Sequence, residues 1–521
     1  MKNEKIFQWI IVFMFFLVHF GVYYYGSTLT FWLPDDDSLD MSVSAVYFSE
    51  NWNVNPFNKE MFIRTYMSPY PPLYSVIMGT IYYFSGDVVW TLNFFNALFV
   101  SLSIIFGFLF FKELLNDGWK ATFATFLITI APCFCSRFIW AQSLAIPLMI
   151  LTLWCLLHLK KPSGEHSDGV DAWQFKWTGL SILFMLLVFF TQPSTAVFMA
   201  LFIIPLLFFR DWFKIIAVCL ISFSLFCAFF LIPNIQNYGF ENTLTGIGIS
   251  SGFFTSANVD TSGGKVPSII ELFVAPLSSK MDQPTGLGTA LACLTLISLF
   301  LFFIWKKWKD KIWCVVIAWF VIFLVLLYGN ALPFKLFPHR AWCFLAIPCV
   351  ILAVWAFWAI IDGVRNKVAK TAIILILITG LLWTCAYPKF VVETSAWPPG
   401  TVWTPNEFAG YQWLKDRNVT DIVWPLCYLG AEEKPISLGL HGMPYDLETY
   451  SMQKQIFNNT PVDMQGFITK KRISYLMIDA QCITNYGLNE TNALVNGLLN
   501  YADPVFGNGE IIVMKIKHGK S

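Results

Sequence analysis

The chain has 521 residues, 56% of them hydrophobic and only 13% charged, with a formal net charge of +1. Runs of about 20 apolar residues recur along it, which makes it a polytopic α-helical membrane protein and excludes a soluble globular class. The balanced charge gives no reason to expect a nucleic-acid partner.

Lys2 and Lys5 precede the first apolar run, 7–29, so the positive-inside rule places the N-terminus in the cytoplasm. That run is too long for a secretory signal and lacks a small-residue cleavage site, which predicts an uncleaved span. Next comes Pro34-Asp35-Asp36-Asp37-Ser38-Leu39-Asp40, four carboxylates within six positions. They stand where the span surfaces outside. Ionisable groups at a membrane boundary are costly unless solvated or paired, and so are functional candidates; the plain alternative is a solvated loop start. The first external loop, 31–72, carries Trp52, Phe57, Tyr66 and Tyr70, aromatics suited to a membrane interface. Ser68-Pro69-Tyr70-Pro71-Pro72 then opens an apolar run, 73–84, that is short for a crossing and predicts an interfacial helix. Kept outside, this helix leaves Lys112 and Lys120 on the cytoplasmic side.

Further runs at 88–111, 123–132, 144–159, 180–190, 196–209, 215–232, 287–304, 312–328, 341–361 and 371–387 alternate with basic loops. Lys160, Lys161, Lys176, Arg210, Lys214, Lys306–Lys311 and Arg365–Lys370 fall inside, giving about eleven transmembrane helices in residues 1–387. Arg137, Gln142, Lys335, His339 and Arg340 fall outside. The tail, 388–521, is mixed in composition and long enough for a small extracytoplasmic α/β domain. Within it 422–424, 475–479 and 511–514 read as strands, and 408–416 and 493–501 as helices. It holds three N-x-S/T triplets, at Asn418, Asn458 and Asn489, which mean glycosylation only if the host modifies that face. Cys427 and Cys482 are the tail's only cysteines, and a disulfide between them stays open. No Walker loop, HExxH or GxSxG site is present.

Pro34-Asp35-Asp36, Trp52, Pro56 and Tyr70-Pro71-Pro72-Leu73 together resemble the first external loop of C-type (GT-C) glycosyltransferases, such as protein O-mannosyltransferases and lipid A aminoarabinose transferases. Residues 137–146 resemble their second external loop. The tail, from Pro405-Asn406-Glu407 through Trp413-Leu414 to Tyr475-Leu476, is similar in form to prokaryotic members and to oligosaccharyltransferase relatives. Asp36 stands where many relatives have Glu, and Trp140-Ala141-Gln142-Ser143 where oligosaccharyltransferases carry a second acidic motif. The resemblance therefore implies inverting transfer of a single sugar from a polyprenyl-phosphate donor to a hydroxyl of a cell-surface glycan, glycolipid or protein.

On that reading Asp35 is the general base and Asp36 supports or exchanges its role. Arg340 binds the donor phosphate, with Lys335, His339 and Arg137 as further candidates. Tyr70, Trp52 and Gln142 are candidate substrate contacts. The protein sits among the lipids of the plasma (inner) membrane with its tail outside. The sequence fixes no cofactor, and a divalent metal, Mg²⁺ or Mn²⁺, at Asp35 and Asp37 fits an oligosaccharyltransferase-like alternative. A transporter or flippase of lipid-linked sugars is the other alternative.

Overall fold

A computed structural model describes residues 2–30, 32–33, 36–52, 70–159, 168–247, 266–277, 285–329, 338–395, 403–427, 433–443, 447–457 and 464–517. Asp35 and Lys335, together with most of the first loop and Asn458, lie outside these residues, as do the side chains of Asp36 and His339. The chain divides into two compact units, Met1–Leu29 with Asn93–Pro398, and Thr30–Leu92 with Pro399–Ser521.

Among the described residues six helices are long and apolar enough to cross a membrane: Asn3–Ser27, Val88–Leu115, Gln174–Thr191, Trp212–Tyr238, Arg340–Gly363 and Lys367–Glu393. This overturns the expected eleven. The other apolar runs form shorter helices, such as Gly118–Ile130, Gln142–Leu157, Pro193–Leu206, Thr289–Ile304 and Lys311–Leu327. At about 1.5 Å per residue a 13–17-residue helix spans only ~20–25 Å of a hydrocarbon core of about 30 Å. Hydropathy alone counts them as spans, but apolar residues also mark a helix buried in protein. Gln142–Leu157 is such a helix, buried on nearly every side. The protein is an integral membrane protein with a small β-containing domain of the extracytoplasmic type.

In the first unit, the Pro338–Gly363 helix is the packing centre, buried at nearly every position from Ala341 to Ala356 and flanked by Thr289–Ile304 and Lys311–Leu327. Its Phe344 stacks on Phe198, the Phe202 and Phe323 rings pack at a tilt 4.4 Å apart, and the Trp319 indole donates to the Phe202 carbonyl at 2.8 Å. Helix starts are set by short polar side chains. Asp117, Asp211, Asp310 and Asn366 each accept from backbone amides of the first turn, which stops the helix from running back into the preceding loop.

Two long helices contain a π turn, Cys227–Leu231 and Leu382–Ala386, each just before a proline, Pro233 or Pro388. A proline inside a helix donates no hydrogen bond and its ring presses on the carbonyl four residues back. The widened turn lets the ring clear and the helix continue.

In the second unit the sheet is open and mixed, in the order β1 (Ile422–Pro425), β2 (Ile473–Asp479), β4 (Ile511–Ile516), β3 (Ala502–Gly507). β1 runs parallel to β2, whereas β4 is antiparallel to both β2 and β3. β2 is buried throughout, and Trp424, Phe467, Leu476 and Met514 fill the core on which it lies. Cys427 and Cys482 form a disulfide across 55 residues, with Cα atoms 4.8 Å apart.

The acidic segment belongs to this unit. Its helix, Asp36–Asn51, packs on Leu73–Ser85 and on Glu433–Ser437. Gly79 permits the first contact, because a Cβ there would meet the Ala45 carbonyl oxygen at 2.7 Å and Phe48 Cδ1 at 2.8 Å. Trp32 joins the tail as well, its ring 5.0 Å from that of Phe408.

Candidate functional site

The acidic segment opens a helix, so Asp37 and Asp40 lie nearly one turn apart. Asp37 is half-buried and Asp40 buried. Four serines of the helix are buried with them, and those at 42, 44 and 49 donate to backbone carbonyls within it, at 2.6–2.9 Å. Asp37 and Asp40 are therefore not fully solvated. Trp52 ends the helix with φ 49° and is exposed, its ring edge-on to Phe48 at 5.6 Å and to Tyr83 at 5.1 Å. Tyr70 is buried.

The expected cations belong to the first unit. Arg137 lies in the segment between Gly118–Ile130 and Gln142–Leu157 and is buried. Its backbone amide donates to Glu393 Oε2 at 3.1 Å, and its Nη2 donates to the Ser395 carbonyl at 2.5 Å. Asn96 holds the same strip through the Arg137 and Phe138 carbonyls, at 3.3 and 3.0 Å. Lys389, one turn before Glu393, is buried and donates to the Ala131 and Phe134 carbonyls at 2.8 and 2.6 Å. Gly26 makes room, since a Cβ would sit 1.9 Å from the Glu393 carbonyl oxygen and 2.9 Å from the Arg137 side chain. Arg340 starts the central helix, donates to Ser194 Oγ, and lays its guanidinium 5.2 Å from the Trp140 ring centre. Trp140 thus links the Arg137 segment to Arg340. Gln142, which begins the next helix, is buried.

Sequence reading passed over two buried charge groups. Lys389 and Glu393 ended an apolar run at i,i+4 spacing, a pattern that signals a buried pair. In the second unit Lys434 is fully buried, bonded to Glu407 and 3.7 Å from Asp479. Burial pushes the Glu407 carboxyl up to about 7; Lys434 pulls it down and the neighbouring Asp479 adds to the rise. Thr404-Pro405-Asn406-Glu407 was a capping signal, and Thr404 does accept from the Glu407 amide at 3.0 Å. The Glu407 side chain, however, points to Lys434.

A grouping that could hold a metal ion consists of Cys427, Asp479 and Cys482, all buried, with candidate ligand atoms within 4.8 Å of one another. It differs in place and donor set from the pair expected at Asp35 and Asp37. Thiolates suit softer divalent ions than Mg²⁺. The two sulfurs are joined here, and the Asp479 carboxylate caps the next helix by accepting from the Gln481 amide at 3.1 Å. Metal binding at this place thus requires the reduced form.

No protein-family model and no curated protein matches the chain. Solved structures do. The Archaeoglobus fulgidus oligosaccharyltransferase, tethered to an acceptor peptide with an NVT sequon, aligns with 99% of this chain and 74% of its own at TM-score 0.60 and 12% identity. ArnT from Cupriavidus metallidurans bound to undecaprenyl phosphate aligns with 98% of both chains at 0.56 and 13% identity. The mycobacterial arabinofuranosyltransferase AftD aligns with 99% of this chain and 40% of its own, at 0.56 and 12% identity. The chain shares the fold of C-type membrane glycosyltransferases. At 12–13% identity the likeness assigns the fold and no particular family.

Proposed function

We propose that the protein transfers a glycosyl group from a polyprenyl-phosphate-linked donor to an acceptor on the extracytoplasmic side of the plasma (inner) membrane. The observation that carries this reading is the end-to-end likeness, over 98% of both chains, to an enzyme holding undecaprenyl phosphate. The C-type fold needs no nucleotide-binding domain, in keeping with the absence of a Walker loop from the sequence. In this reading residues 1–387 form the membrane part, 73–84 lie along its outer surface, and 388–521 are external.

The chemistry follows from the residue types. Asp35, with Asp36, takes the proton of the attacking acceptor group as that group displaces the phosphate from the anomeric carbon, with inversion. Arg340 takes up the charge on the leaving phosphate, assisted by Arg137, Lys335 and His339. Trp52, Tyr70 and Gln142 contact the sugar or the lipid. Arg137 serves through a segment held in place by Lys389 and Glu393.

Within this class, the metal-dependent, oligosaccharyltransferase-like alternative draws the stronger support from the comparisons. The archaeal oligosaccharyltransferase has the higher TM-score, 0.60 against 0.56, and the chain contains a grouping that in its reduced form could hold a metal ion. The missing second acidic motif at 140–143 argues the other way. Cell-envelope extracts incubated with the purified protein should release free polyprenyl phosphate or diphosphate and gain a glycan. Loss of that turnover on chelation, restored by Mg²⁺ or Mn²⁺, selects the metal-dependent reading. Turnover unchanged by chelator selects single-sugar transfer. No release of the lipid carrier, with sugar crossing the bilayer intact, would replace both with the transporter.

A further inference from the structure

Besides the joined pair Cys427–Cys482, the described residues hold ten cysteines that form no disulfide. Most are scattered in apolar helices, where cysteine packs as a small hydrophobe. Two are not scattered. Cys135 and Cys343 lie 208 residues apart in sequence, yet their sulfurs approach to 3.6 Å. Cys343 is buried in the central helix one turn after Arg340, and Cys135 is two residues before Arg137.

The backbone around Cys135 is shaped to keep its thiol there. Cys135 has φ 53°, the left-handed region that a residue with a Cβ seldom adopts. Neighbouring contacts impose it. The Tyr23 hydroxyl donates to the Cys135 carbonyl at 3.1 Å, and Lys389 donates to the carbonyls of Ala131 and Phe134 at 2.8 and 2.6 Å. A strained conformation persists where its surroundings over-determine it. Here they aim one thiol at another.

We propose that Cys135 and Cys343 are a dithiol pair that closes to a second disulfide, pinning the segment that bears Arg137 to the helix that bears Arg340. The sulfurs need to close only to the bonded separation of roughly 2.05 Å. The oxidant is a disulfide of a small thiol or of a thiol oxidoreductase. One cysteine thiolate attacks it, releases one thiol and forms a mixed disulfide. The second thiolate then displaces the other thiol, so that two cysteine thiols and one external disulfide become one cystine and two external thiols. This inference does not rest on the transfer reading.

The test uses the full-length protein in detergent. It is reduced with dithiothreitol, desalted, exposed to oxidised glutathione, blocked with N-ethylmaleimide in denaturant and digested for mass spectrometry. Re-formation of Cys427–Cys482 serves as the internal control for oxidation. The expected result is a peptide pair joined through 135 and 343, with two fewer alkylated thiols beyond the control pair. Cys343→Ser should abolish that link. Hydrogen exchange in peptides covering 133–141 should slow several-fold on oxidation of the wild type and remain unchanged in Cys343→Ser. Alkylation of both thiols under conditions that restore Cys427–Cys482 overturns the proposal. A link without slower exchange overturns the pinning.

Discussion

Glu407→Gln tests the buried charge group of the tail. Glu407 and Asp479 share Lys434, which is fully buried, so the group carries more carboxylate than it can neutralise. Burial raises the Glu407 carboxyl to about 7, against an ordinary 4.5. The folded form therefore holds a proton that the unfolded chain gives up. This stabilisation is fully present below about pH 4.5 and is lost as pH rises through 7, and it amounts to about 3 kcal/mol in all. Gln has the same shape and still offers Lys434 an acceptor, but it does not titrate. The assay is hydrogen exchange of peptides covering 405–415 and 473–479, corrected for intrinsic rates, between pH 5 and 7.5. Wild-type protection should fall by one to two orders of magnitude, and Glu407→Gln should remove most of that fall. Wild-type protection that is flat or rising with pH, or an equal fall in the variant, would refute the reasoning.

Three further outcomes are expected. Gly79→Ala should lower thermal stability by about 1–3 kcal/mol, because its Cβ meets backbone of the Asp36–Asn51 helix that cannot step aside. Asp35→Asn should reduce transfer by about 10²–10⁴ at unchanged expression, whereas Asp40→Asn, a turn inside the helix, should do much less; equal activity of Asp35→Asn and wild type in carrier release would remove the base. Arg340→Ala and Arg340→Lys should both impair turnover in the same assay, because Lys loses the planar fork that meets Ser194 and lies beside Trp140.

Much of the tail could be read from pattern. The strands near 422, 475 and 511 alternate or run apolar, and the structure places β1, β2 and β4 on them. The fourth strand was hidden by Pro504, which reads as a strand breaker. β3 lies at the edge of the sheet, where a missing amide donor costs little. The number of spans is not legible from hydropathy, which measures what a residue prefers to touch and does not distinguish lipid from protein. Gln142–Leu157 is apolar because it is surrounded by other helices. The buried ion groups escaped for a related reason. Lys434 lies in a polar stretch and looks solvated until the fold brings Glu407 and Asp479 to it from 27 and 45 positions away. Composition does not decide the Cys427–Cys482 pairing; the β1–β2 register, which brings the two chain segments side by side, does.

The π turn at Leu382–Ala386 acts as a phase adjuster. Every residue after it is rotated relative to where an unbroken α-helix would carry it, and Lys389 and Glu393 reach the 131–137 segment only at that phase. Deleting a single residue from the turn would close it to ordinary helical winding and press the Pro388 ring on the carbonyl before it. It would also turn both side chains by about 100° and draw them back ~1.5 Å, off the carbonyls and the amide they hold. Chain length at this one turn thus governs the setting of a segment more than 240 residues earlier in the sequence. A protein of the same fold with one residue fewer here must brace its corresponding segment from somewhere else.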